Sequence, residues 1–129
     1  MEPAAKLVAG TDGQHYVNKL LGKVAVWKDN AIILLDPSAI LYFTVVNKRV
    51  AVHAATGIYE SGSSLDELEK RFYADGFFRS HKSFVVNMEY VEKIVPWFNS
   101  TYMMKLKGEA GQIPVSRHYV KNLRSMLDI

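Results

Sequence analysis

Arg79, His81 and Lys82 crowd into one short stretch, "FFRSHKSFVVN" (Phe77–Asn87), just ahead of an apolar run. A guanidinium can hold a phosphate or a guanine edge with paired hydrogen bonds, an ammonium acts as a point charge, and an imidazole donates or accepts near neutrality. Two other polar groups stand in the same relation to apolar runs. Asn47, Lys48 and Arg49 follow "AILYFTVV", and Ser116 and Arg117 follow "QIPV". Ser116 and Arg117 also open a helix, whose free N–H groups favour an anion. All three groups fall at strand ends, where side chains are presented rather than buried. Each has a plainer reading as well: a polar hairpin loop for 47–49, an N-cap for Ser116, and a solvated edge for Arg79, His81 and Lys82.

Other chemistry finds little support. There is no cysteine, and His15, His53, His81 and His118 never pair at the spacing a metal site uses. Ser80, His81 and Ser83 are neighbours, but no carboxylate is evident to orient the imidazole. Asp66, Glu67 and Glu69 read as the solvated face of a helix. No Gly-rich phosphate loop, zinc-binding helix motif or nucleophile elbow is present. "YMM" at Tyr102–Met104 reads as core filler. The expectation is a protein that is not an enzyme, with no cofactor and no metal.

The net charge of the 129-residue chain is +3. From Phe77 to Leu127, eight bases stand against three acids, an excess larger than that of the whole chain. This asymmetry points to a positive face for a polyanion. With 49% hydrophobic residues, the chain has enough apolar material for one substantial core. The N-terminus lacks the basic and apolar regions of a signal peptide, and the longest apolar runs are too short to span a bilayer as a helix. A cytoplasmic protein without membrane attachment is expected.

These groups must be positioned by mostly period-two elements. "KVAVW", "AIILL", "AILYFTV" and "RVAVHA" alternate or run apolar like strands, with "KDN" and "NKR" as turns between them. Asp36-Pro37 suits a single helical turn. One mid-chain helix is read in "SLDELEKRFYADG", with Ser64 and Glu67 as a capping box, Leu65, Leu68 and Phe72 on one face, and Gly76 as the stop. Further strands are read at Ser83–Asn87, "VEKIV", "TYMMKLK" and "QIPV", with "PWFNS" as a turn. A last helix carries Val120, Leu123 and Leu127 on one stripe. The architecture expected is mainly β: stacked small antiparallel sheets of about eight to ten short strands, one short mid-chain helix and a C-terminal helix. Residues 1–22 read as a tail or linker and 23–129 as the domain.

The ordered motifs resemble the LytTR-type DNA-binding domain. Phe77–Asn87 is similar to that family's signature of Phe, Arg, His, a base, Ser, an apolar strand and Asn. Ile113–Val120, "IPVSRHYV", is similar to its second signature, "LLDPSAILYF" to its N-terminal strand pair, and "SLDELEKRF" to its short helix. The resemblance covers about Lys23 to Leu127. It implies a bacterial transcription regulator of the response-regulator type. Such a protein binds double-stranded DNA through loops in successive major grooves, often on paired promoter sites as a homodimer that bends the DNA. By position, it implies that Lys82 contacts a base and that Arg117 is a groove arginine. Arg79, His81 and Ser116 fall near the backbone, and Asn47, Lys48 and Arg49 form the first reading loop. Asn87 is expected to hold a turn. Residues 1–22 are too short for a receiver or sensor domain, which leaves a stand-alone regulator or a fragment of a longer one. The competing reading is an all-β protein-interaction or ligand-sensing module with an incidental basic edge.

Overall fold

The structure is a computed structural model that describes residues 22–129; the expected N-terminal tail therefore lies outside the described residues, apart from Gly22. Seven strands form one antiparallel sheet. In chain order they are β1 (Val24–Lys28), β2 (Ala31–Leu35), β3 (Ile40–Val46), β4 (Arg49–Ala54), β5 (Gly57–Ser61), β6 (Phe77–His81) and β7 (Phe84–Asn87). Their spatial order is β2-β1-β5-β4-β3-β7-β6. A second antiparallel sheet holds β8 (Val91–Trp97), β9 (Thr101–Leu106) and β10 (Gln112–Val115), with β9 in the middle. The helices are α1 (Leu65–Phe72) and α2 (Arg117–Leu127). The mainly β, antiparallel architecture read from the alternation is therefore present, with the strands divided unevenly between the sheets.

The tight hairpins turn on paired residues at positive φ, a region that Asp and Asn tolerate and Lys does not favour. Asp29 and Asn30 (φ 50 and 68) join β1 to β2, and Asn47 and Lys48 (φ 52 and 66) join β3 to β4. Two left-handed residues match the twist of the strands they connect. At the open end of the first hairpin, Lys23 Nζ meets Asp36 Oδ1 at 2.9 Å. Asp36 thus spends its carboxylate on that pair and makes no cap bond to the 3-10 turn Pro37–Ala39.

The capping box of α1 forms as read: Ser64 Oγ accepts from Glu67 N–H at 3.1 Å, and Glu67 Oε1 accepts from Ser64 N–H at 2.8 Å. Leu65, Leu68 and Phe72 bury against one face of the large sheet with Val26, Phe43, Val52, Phe77 and Val85. The rings of Phe43, Phe72 and Phe77 lie 5.6–6.1 Å apart, within the range of favourable aromatic packing. Gly76 ends the following 3-10 turn in the left-handed region (φ 86). Among the described residues, the opposite face of the sheet is covered at its β7–β6 end. There Phe78 and Val86 meet Met104, Leu106, Ile113 and Val115 of the small sheet and Leu123 of α2. Trp27, Ile32, Leu34 and Ile58, on the β2-β1-β5 part of that face, stay exposed. Asn87 holds the turn after β7 as expected: its Oδ1 accepts from Glu89 N–H at 3.0 Å, and its Nδ2 donates to Ile40 O of the neighbouring β3 at 2.9 Å.

Three local readings are corrected. Phe77–His81 is itself a strand, so only Lys82 and Ser83 make the turn in the basic stretch. β8 runs on through Pro96 to Trp97; it is an edge strand, where a missing N–H costs little. Leu127 leaves the apolar stripe of α2 and is exposed.

Candidate nucleic-acid interface

Backbone register brings the separated polar groups to one end of the molecule. β3 and β7 pair with Thr44 opposite Phe84, and Val45 N–H donates to Ser83 O at 3.2 Å. This sets the Asn47–Lys48 turn beside the Lys82–Ser83 turn. Ser116 N–H donates to Ser80 O at 3.0 Å, which fixes the start of α2 to the outgoing end of β6. In the small sheet, Val115 lies opposite Tyr102, so the β8–β9 turn at Phe98–Ser100 comes to the same end as Ser116. Four turns that are far apart in sequence therefore share one end.

Asn47, Lys48, Lys82 and Arg117 are exposed there. Arg49 lies on β4 rather than in the turn, with its side chain 75% exposed and bound to Glu60 Oε2 at 2.8 Å. Ser116 occupies the N-cap position of α2, but its hydroxyl makes no cap hydrogen bond. It is left to meet another acceptor or donor.

Arg79 is placed differently from the expectation of an edge residue facing outward. Its side chain is only 11% exposed, and its Nη1 sits 2.9 Å from both Asp66 Oδ1 and Glu69 Oε1 of α1. Its Nε donates to His81 O at 2.9 Å and its Nη2 to Lys82 O at 2.7 Å. Four of the five guanidinium N–H groups are thus taken, two by carboxylates of α1 and two by carbonyls that hold the shape of the Lys82 turn. Asp66 and Glu69, read as a merely solvated face, are the carboxylates that hold it. Burial acts to lower the Arg79 pKa, but hydrogen bonds to Asp66 and Glu69 outweigh it and raise the pKa above the ordinary value.

His81 lies edge-on to Phe84, with ring centroids 5.7 Å apart, and its Nδ1 accepts from Ser83 N–H at 3.0 Å. Burial, then the nearby Lys82 and Arg79 charges, lowers its pKa below the ordinary 6.5. The imidazole is thus mostly neutral at pH 7, and with Nδ1 accepting, its proton is carried on Nε2.

Residues outside the sequence reading join this end. Lys121 and Arg124 continue from Arg117 along α2 at helical spacing, and the three line an open groove with Ser100 and Val120. Trp97 and Phe98 stand exposed at the β8–β9 tip. The signal for the bases was their spacing of four and three residues behind Arg117. For the aromatics it was a Trp-Phe pair beside Asn-Ser turn chemistry. Among the described residues, no cluster of His, Cys, Asp or Glu could hold a metal ion, and no helix is long and apolar enough to cross a membrane.

Comparison with known proteins adds an independent line. The family described as the LytTr DNA-binding domain matches residues 30–128. The sensory transduction protein LytT of Bacillus subtilis is 38% identical over 117 residues, covering 91% of this chain and 45% of that protein. The transcriptional regulatory protein YpdB of Escherichia coli K12 is 33% identical over 102 residues, covering 79% of this chain and 42% of that protein. The chain thus spans a little under half the length of these curated relatives. A solved LytTr DNA-binding domain from Bacillus cereus superposes with a TM-score of 0.78 at 27% identity, covering 83% of this chain and 97% of that one.

Proposed function

We propose that this chain, which belongs to the LytTr DNA-binding domain family, binds double-stranded DNA sequence-specifically and serves a bacterial transcription regulator. The observation that carries this reading is the convergence of the Asn47–Lys48 turn, the Lys82 turn and the Ser116–Arg117 helix start at one end of the fold. Lys82 and Arg117 are exposed tips and read base edges in the major groove. Asn47, Lys48, His81 and Ser116 contact phosphates beside them. Arg49, already held by Glu60, lends its charge from the flank of the first turn. Arg79 acts through the Lys82 turn that it braces and is a positioning residue. Paired sites and a homodimer on DNA are proposed on the family resemblance alone.

The test is a gel-shift titration on duplexes recovered by selection from random sequence, repeated across salt concentrations. Affinity of the unaltered protein falls steeply with salt, because phosphate binding releases counterions. Arg117→Ala and Lys82→Ala each cost about 1–3 kcal/mol and relax the preference at one position of the site. Unchanged affinity and specificity in both variants would overturn the base-reading assignment. An absence of salt-sensitive binding to any duplex would overturn the DNA reading itself.

A further inference from the structure

We infer that the β8–β9 tip is a further DNA-contacting element, in which Phe98 wedges against a base-pair step at the flank of the bound site while α2 holds the adjacent backbone. This inference rests on the DNA reading proposed above. Phe98 is 75% exposed and Trp97 46% exposed, with their rings edge to face at a centroid distance of 5.5 Å. Exposed aromatics cost solubility and contribute nothing to either core, since neither belongs to the buried clusters. The tip is nonetheless stiffly built. Trp97 pairs with Thr101 across the hairpin, and Thr101 Oγ1 donates to Phe98 O at 2.6 Å. Asn99 and Ser100 turn the chain with φ of 54 and 61. The backbone that presents Phe98 is thus fixed without help from its side chain.

What surrounds the tip selects the partner. Ser100 shares its groove with Arg117, Lys121 and Arg124 and, among the described residues, with no acidic side chain. A protein partner would have to meet three cations beside the two rings, whereas duplex DNA offers phosphates for the cations and an apolar base stack for Phe98. The tip also lies at the same end as the Lys82 and Arg117 turns, so one duplex can meet all of them. Apolar side chains at such a position act by partly unstacking a base step.

The experiment uses the full chain and a selected duplex carrying 2-aminopurine singly at successive flank positions. With the unaltered protein, fluorescence rises at one flank step, reporting reduced stacking. Phe98→Ala abolishes that rise and weakens binding about tenfold, with the slope of affinity against salt unchanged because every phosphate keeps its cation. Phe98→Tyr restores both. In a Trp27→Phe background, where Trp97 is the one remaining tryptophan of the two in the chain, bound DNA quenches its emission. Phe98→Ala binding with full affinity and an unaltered 2-aminopurine signal would overturn the wedge while leaving the DNA reading intact. Failure of the unaltered protein to bind any selected duplex would overturn both.

Discussion

His81 Nδ1 can accept the Ser83 N–H only while it carries no proton, so the Lys82 turn is tied to the ionisation of its neighbour. Burial, then Lys82 and Arg79, lowers the His81 pKa, and burial lowers that of His53, which stacks on Tyr42 with ring centroids 4.3 Å apart. The unfolded chain begins to bind these protons near 6.5, while the folded chain resists until lower pH. The stabilisation is therefore fully present above about pH 6.5 and is lost as pH falls through the lowered folded values. Urea titrations between pH 5 and 8 should show a midpoint that drops on the acid side and is level on the other. His81→Gln should shallow the acid slope, and an unaltered slope would exclude His81 as a contributor. At this scale residue types were legible before their uses. Arg79 stood where the motif put it, but its partners Asp66 and Glu69 come from a helix that precedes it in the chain. Nothing in the local pattern announces a pairing that tertiary packing creates.

In the β3–β4 hairpin, Lys48 sits at φ 66, where an L-residue with a long side chain is disfavoured by about 1 kcal/mol or more and glycine is not. A purely structural turn gains from glycine at that position, so a lysine kept there points to use of its charge. Lys48→Gly should raise stability by about 1 kcal/mol in denaturant titration and at the same time weaken DNA binding, lowering the salt slope by about 1. A variant that gains stability and binds unchanged would remove Lys48 from the interface. Elements with a one-sided environment were legible in the sequence: the capping box and apolar face of α1, and the alternation of β4. β6 was not. Phe77 and Arg79 face α1 while Phe78 and Ser80 face the second sheet, so both sides are covered and no period-two contrast survives. Ser80 Oγ is even left without a hydrogen-bond partner among the described residues.

The whole molecule decides which charges act together. The basic excess between Phe77 and Leu127 suggested one positive face, but the fold divides it. Arg79 is neutralised inside by Asp66 and Glu69. Lys93 and Lys105 face each other across β8 and β9 and share a groove with Glu92 and Glu109, away from the β8–β9 tip. Lys107 lies in the turn beyond them. Lys82, Arg117, Lys121 and Arg124 remain at the end where the four turns meet. Sequence counts sum charge along the chain, whereas a duplex samples it within about a Debye length, roughly 8 Å at physiological salt. Two triple variants separate these views, because each removes three positive charges from a different part of the fold. Replacing Lys93, Lys105 and Lys107 with alanine should leave the slope of log affinity against log salt near that of the unaltered protein. Replacing Lys82, Arg117 and Lys121 should flatten it by about 0.9 for each phosphate no longer neutralised. Equal flattening in both would mean that net charge alone draws the protein to DNA, and the convergence of turns at one end would then have no part in binding.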